Sequence, residues 1–256
     1  MYAILIRLKK AASAASVHLF ICLAIAGLAA VLVFAAWYPF PYRDLSGGRE
    51  LFLLIILVDV VCGPLLTLVL FNSAKPRLEL LRDLAFVVVI QLSALAYGLF
   101  TVWEARPLYL VMEIDRFKVI SAPDLREAKL QDLPAEMQPR WIGAPVTVGI
   151  RPPKDAEERS KVLFESVDGG RDYAERPEFY VPYKGEAALR TLLRAKKLVE
   201  FLQKYPDQRK EAEDIASKKG LDVAEIQYLP VVGRQDWVAL LDEQGQIIGY
   251  LKGDGF

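Results

Sequence analysis

Asp59 is the only charge in the apolar run Leu51–Phe71 (LFLLIILVDVVCGPLLTLVLF), and a Gly-Pro pair follows it within one helical turn. A carboxyl at the centre of a bilayer costs roughly 2.5–3.5 kcal/mol on insertion scales, so an aspartate retained there faces a protein interior, a partner or a water-filled path. Pro64 has no N–H and its ring presses on the carbonyl of Val60, which predicts a bent or loosened helix beside the charge. Asp59, Gly63 and Thr67 recur at every fourth position and form one small, polar stripe. On a later apolar run Gln91, Ala94 and Gly98 repeat the pattern with Tyr97 adjacent, at depths that bracket Asp59. A hydrogen bond from Gln91 or Tyr97 to Asp59 is therefore expected. His18, the single histidine, is placed near a membrane surface, too shallow to reach Asp59. The first reading of Asp59 is a carboxyl satisfied inside a helix bundle. Contact with a partner's helix, and after it a proton path, stay open.

Other catalytic constellations are missing. The sequence has no G-x-x-x-x-G-K-[ST] loop, no G-x-S-x-G elbow, no H-E-x-x-H and no S-x-x-K. The polar half has no histidine for base or metal work, and Cys22 and Cys62 both fall inside apolar runs, where they read as small core residues. Glu157, Glu158, Asp168 and Asp172 are close in sequence, but acids on a helix and its exit turn are far more often solvated than catalytic. No metal, cofactor or catalytic residue is expected. An intramembrane aspartyl protease needs two aspartates, whereas Asp59 is alone and Asp83 sits at a boundary.

The elements that must position these residues follow from hydropathy. With 54% hydrophobic residues the chain is greasier than an average soluble one, and its formal charge of +0 hides two unlike halves. Residues 1–103 carry eight Lys/Arg and five Asp/Glu, and residues 104–256 carry twenty-four and twenty-seven. Basic blocks interleaved with aromatics do not occur, which argues against nucleic acid as a partner. Val17–Trp37, Leu51–Phe71 and Leu84–Trp103 are each long enough to cross about 30 Å of hydrocarbon. The first is too long for a secretory signal and reads as an uncleaved anchor. Trp37, Tyr38, Tyr42 and Trp103 are expected as interfacial anchors on one side. Arg7, Lys9 and Lys10 in the tail, with Lys75, Arg77 and Arg82 in the second loop, place those segments in the cytoplasm and everything after Trp103 outside.

The expected architecture is therefore a membrane domain (1–103) with three transmembrane helices, followed by a periplasmic α+β domain (104–256). Within the latter, Leu108–Ile120 and Val146–Ile150 read as strands, and Ala156–Ser166 as a helix capped by Asp155 with Glu158 three residues on. Glu186–Lys204 reads as the strongest helix, burying Leu189, Leu192, Leu193, Val199 and Leu202. Arg190, Arg194 and Lys197 make a basic stripe on it. Its ordinary reading is a solvated face, and its functional reading a docking surface for an acidic partner. Gln208–Lys219 is a shorter helix ending at Gly220, and Ile226–Val232, Trp237–Leu241 and Ile247–Leu251 close the chain as strands.

The residues GGRELFLLIILVDVVCGPLLTLVLFN (47–72), Arg82-Asp83-Leu84, QLSALAYG (91–98) and ARPLYLVMEIDRFKVI (105–120) resemble the TfpX/TfpZ family of type IV pilin accessory proteins. The resemblance spans the whole architecture and is most specific before about residue 125. It implies a multi-pass inner-membrane protein that helps a cognate type IV pilin reach or enter the growing pilus, with the pilin, the assembly machinery and the lipid bilayer as partners. It supplies no catalytic residues. The first span also lacks the glycine-cleavage signal and nearby glutamate of a pilin anchor. On this view Asp59, Gly63, Pro64, Thr67, Gln91, Ala94, Tyr97 and Gly98 are intramembrane packing or recognition positions. The alternatives are a membrane-tethered periplasmic enzyme acting on cell wall or pilin, and a ligand-sensing membrane protein.

Overall fold

The computed structural model describes residues 2–125, 128–168 and 170–256. The chain divides into two compact units. The first comprises Met1–Trp37 and Gly48–Glu104, and the second Tyr38–Gly47 and Ala105–Phe256. The first loop thus folds with the polar half, which the sequence-based boundary at residue 103 did not foresee.

In the first unit, α1 (Tyr2–Val31) runs on as a π-helical turn, Leu32–Trp37. The short α2 (Tyr42–Leu45) belongs to the second unit, and α3 (Gly48–Leu70) and α4 (Arg77–Glu104) complete the first. The stretches Leu5–Trp37, Gly48–Leu70 and Arg77–Glu104 are long and apolar enough to cross a membrane. α1 and α4 begin well before their apolar stretches, where Ala, Leu, Arg and Lys are good helix formers. The middle helix packs against both others. It stays continuous through Pro64, so the expected loosening beside Asp59 does not interrupt it.

The second unit is built on one mixed sheet. Its strands are β1 (Pro107–Glu113), β2 (Arg116–Ser121), β3 (Val146–Ile150), β4 (Tyr180–Pro182), β5 (Lys196–Lys197), β6 (Gln227–Val232), β7 (Trp237–Leu241) and β8 (Ile247–Lys252). The order is β4-β3-β1-β2-β6-β7-β8, with β5 paired to β6. The β1–β3 and β2–β6 pairs are parallel and the others antiparallel. Helices α5 (Ala122–Leu125), α6 (Ala156–Val167), α7 (Glu186–Leu192), α8 (Leu198–Lys204) and α9 (Arg209–Lys219) fill the connections.

Alternation along β6 and β7 sends residues to two separate cores. Tyr228, Val238 and Leu240 pack with Leu198, Phe201, Leu202, Ala212 and Ala216 of α8 and α9. Leu229, Val231, Trp237, Ala239 and Leu241 pack on the other side with Tyr42 and Leu45. Every residue of β7 is consequently buried. Tyr38 and Tyr42, the expected interfacial anchors, are only 1% and 3% exposed, and Tyr42 is a core residue of this unit. The Tyr42 hydroxyl meets that of Tyr250 at 2.8 Å, and the Leu45 carbonyl accepts from the Arg234 amide at 2.7 Å.

Two sequence-based elements divide. The expected strand 108–120 is a hairpin turning at Ile114-Asp115, with Ile114 at φ 47°. A turn built on a β-branched residue lacks the Gly or Asn that would announce it. The expected helix 186–204 is α7, then β5, then α8. Lys196 and Lys197 pair with Tyr228 and Gln227, and this sheet pairing overrides local helix propensity. Leu189 and Leu193 are left 52% and 81% exposed, and Leu198, Phe201 and Leu202 supply the buried stripe. By contrast β3, β7 and α9 match expectation, with Gly220 ending α9 in the left-handed region at φ 68°.

Gly233 shows how closely the inserted segment sits. A Cβ there would lie 2.5 Å from the Leu45 carbonyl oxygen, a backbone atom that cannot swing away. Gly233→Ala is expected to destabilise the second unit by about 1–3 kcal/mol. Thermal unfolding of the full chain, with trypsin cleavage at Arg43 as the local readout, checks it. Unchanged stability and cleavage would show that the segment is not needed by the fold.

Candidate functional site

Two groups of polar residues stand out, one in each unit. On α3 the 3.6-residue period turns Phe52, Asp59, Gly63 and Thr67 inward. Asp59 is 8% exposed and Thr67 3%. The Gln91 amide Nε2 donates to the Asp59 backbone carbonyl at 3.1 Å and to Cys22 Sγ at 3.0 Å. A Cβ on Gly63 would meet the Gln91 amide at 2.2–2.5 Å, so a glycine is what lets Gln91 lie across α3. Gly98 does the same for Ile55, whose Cγ2 would be 2.5 Å from a Cβ. His18 Nδ1 and Thr67 Oγ1 share a hydrogen bond of 2.6 Å.

The expected contact thus forms from Gln91, but to the Asp59 main chain. Asp59 Oδ1 and Gln91 Oε1 are buried acceptors with no hydrogen-bond partner among the described residues. His18 makes no hydrogen bond to Asp59; it joins the stripe two turns further on, at Thr67. Ala94 and Tyr97 face away from the Asp59 stripe. Tyr97 is 73% exposed and Ala94 is exposed too, because the inward face of α4 runs through Val87, Leu95, Gly98 and Val102. Pro64 lies next to Gly63 within α3.

The second group lines a groove of about 900 Å³ in the polar unit. Its walls are α7, the β1–β2 turn, the ends of β3 and β4, and the start of α6. It gathers Arg151, Arg159, Arg190 and Arg194, with Glu113 and Glu186. Arg190 and Arg194 come together here as the sequence suggested, although Arg194 lies past the end of α7. Lys197 is on β5 and does not line the groove. Arg151, Arg159, Glu113 and Ile114 were not singled out by the sequence reading. The one available signal was Arg151, placed between a strand and Pro152-Pro153.

The cations are held differently. Arg151 makes a two-pronged pair with Glu158 at 2.9 and 2.8 Å and lies over the Phe179 ring at 4.3 Å. Glu158 also accepts from the Lys154 amide at 2.6 Å, while Asp155 caps α6 by accepting from the Glu158 amide at 2.7 Å. The cap is the expected one, with Glu158 reaching back one residue further than a capping box requires. Arg190 pairs with Glu186 at 2.6 Å. Arg159 and Arg194 form no ion pair among the described residues. Burial pushes the Glu113 carboxyl above its usual range, against the Ala174 amide that donates to it at 3.2 Å. Lys118 is bound to Glu175 at 2.8 Å, with Asp172 at 3.7 Å. Among the described residues no three of His, Cys, Asp and Glu are grouped to hold a metal ion.

The Arg151 pair and the Lys154 amide hold the Glu158 carboxyl down to about 2. Its folded value lies below the ordinary one, so this clamp's contribution is present above the ordinary carboxylate range. It is lost as the pH falls towards about 2. A carboxyl-detected NMR titration of the full chain is expected to show Glu158 ionised at pH 3.5, and Arg151→Ala to raise its midpoint towards 4.5. A wild-type midpoint near 4.5 would mean the clamp does not exist in solution. Glu113 has the opposite sign: its stabilising protonation is lost as the pH rises through its elevated value.

Comparison with known proteins adds a family. The sequence profile described as "Fimbrial assembly protein FimB" matches residues 6–47, which take in most of α1 and the segment that completes the second unit's core. The chain is 35% identical to the fimbrial assembly protein of serogroup I from Dichelobacter nodosus, over 98% of both chains. It is 34% identical to the serogroup E1 protein of that organism, again over 98% of both. The protein of serogroups C1 and C2 is 41% identical over 46% of this chain and 91% of its own length. No solved structure gives a significant match.

Proposed function

The chain belongs to the fimbrial assembly protein family, and from that premise we propose that it is a membrane-embedded accessory factor for type IV pilus assembly. The observation that carries the reading is likeness along the whole chain, helices and polar unit together, to two fimbrial assembly proteins. The motifs around Asp59, Gln91 and Arg106 support the finer kinship with the TfpX/TfpZ pilin accessory proteins. In this reading the three long helices span the inner membrane with the N-terminus in the cytoplasm, and the polar unit lies in the periplasm. The cognate pilin is the partner. Its apolar helix packs on the three-helix bundle, and its folded head is met by the polar unit.

The factor is non-catalytic in this proposal. A tethered enzyme asks for convergent carboxylates of unequal environment in one cleft. The groove instead gathers four arginines, and of its two glutamates Glu186 is tied to Arg190. Glu157 and Asp168 are exposed, while Glu158 and Asp172 face Arg151 and Lys118.

Deleting the gene is expected to abolish or sharply reduce surface pili while pilin is still synthesised, followed by counting pili and quantifying total pilin separately. Unchanged piliation across growth conditions would sink the proposal. Within the stripe, Asp59→Asn keeps a polar group of the same size, and Asp59→Leu removes it. The Asn variant is expected to retain most piliation and the Leu variant to lose it, with both checked for protein level. Loss of function in Asp59→Asn would instead assign Asp59 a charged, proton- or ion-handling role.

A further inference from the structure

The groove between α7 and the β1–β2 turn has features that the packing of the unit does not require. Residues 104–256 carry more acids than bases, yet here the four guanidinium groups outnumber the two carboxylates. Two of the four, Arg159 and Arg194, are exposed and make no ion pair among the described residues, and the fixed Arg151 pair sets one wall. The groove is also lined by Ile114, 74% exposed and held at φ 47°, a conformation that a β-branched residue adopts at a cost. An exposed apolar side chain in a strained turn gains nothing for the fold. Beside exposed guanidinium groups that form no ion pair among the described residues, it gives the groove a mixed apolar and cationic character.

We propose that this groove receives an extended acidic segment of a partner protein, with its carboxylates on Arg159 and Arg194 and an apolar side chain against Ile114. Guanidinium groups match carboxylates in a planar, two-pronged fashion, and Ile114 suits an apolar side chain flanked by acids. Identifying that partner as a pilus component rests on the function proposed above; the chemistry of the groove does not.

The test uses the full chain in detergent and a labelled peptide in which glutamates flank a pair of valines, the rest being serine. Its counterpart carries glutamine at each glutamate. Saturable binding of the acidic peptide is expected, falling at least about tenfold in Arg159→Ala/Arg194→Ala and on raising salt from about 0.05 to 0.5 M. The Arg159→Lys/Arg194→Lys variant is expected to recover part of the loss, and thermal unfolding establishes that each variant is folded. No binding, equal binding of the glutamine peptide, or an unchanged affinity in the alanine variant overturns the proposal. So does arginine-dependent binding to phosphatidylglycerol vesicles without peptide binding, which would assign the groove to lipid headgroups. Peptide binding combined with normal piliation in the deletion strain would refute the pilus role and leave the groove's chemistry standing. Lost piliation without peptide binding would do the reverse.

Discussion

The second unit depends on covering both faces of one strand pair. β6 and β7 send alternate side chains to opposite sides, and all five residues of β7 are buried. Helices α8 and α9 cover one face, and Tyr42 and Leu45, from the chain between two long apolar helices, cover the other. Burying each such side chain contributes about 1.5–3 kcal/mol, which a domain of marginal stability cannot forgo. The folded unit is therefore discontinuous in sequence. It forms only where residues 38–47 and 105–256 share a compartment. Between those segments lie α3 and α4, so these helices must cross a bilayer as a pair or not at all. This parity constraint owes nothing to the Lys and Arg counts.

How far the sequence disclosed this depended on whether the signal was local. The capped start of α6 and the glycine stop of α9 each carry their own marker, and both were legible. Tyr38 and Tyr42 were misread because an aromatic pair after an apolar run looks the same whether it meets headgroups or a distant sheet. For Tyr42 only the tertiary partner, Tyr250, tells the two apart. Likewise Leu189 to Leu202 repeat at helical spacing, and nothing nearby reveals that Lys196 and Lys197 will pair with β6.

The candidate residues divide along the same line. Asp59, Gly63 and Thr67 share a face because four-residue spacing on a continuous helix leaves them little choice. On α4 the 3.6-residue period takes the inward face from Gln91 to Leu95, Gly98 and Val102, and turns Ala94 and Tyr97 outward. The basic groove was half legible. Arg190 and Arg194 are close in sequence, at the end of α7 and just past it, but Arg151 and Arg159 arrive from another connection, and only the sheet order places that connection beside α7.

The polar contacts around Asp59 leave one donor to account for. Gln91 spends its amide nitrogen on the Asp59 carbonyl and the Cys22 sulfur, while Gly63 makes the space that permits it. Asp59 Oδ1 and Gln91 Oε1 then remain as buried acceptors. Leaving such an acceptor unpaired costs about 1–3 kcal/mol, so a donor at this depth is worth supplying. A hydroxyl or amide on a partner's helix is one group able to supply it. Such a donor favours a polar residue at position 59. The glycine, the glutamine and the aspartate therefore act as one packing arrangement. Within it Gly63 sets the approach, Gln91 ties α3 to Cys22, and Asp59 places a buried acceptor beside them.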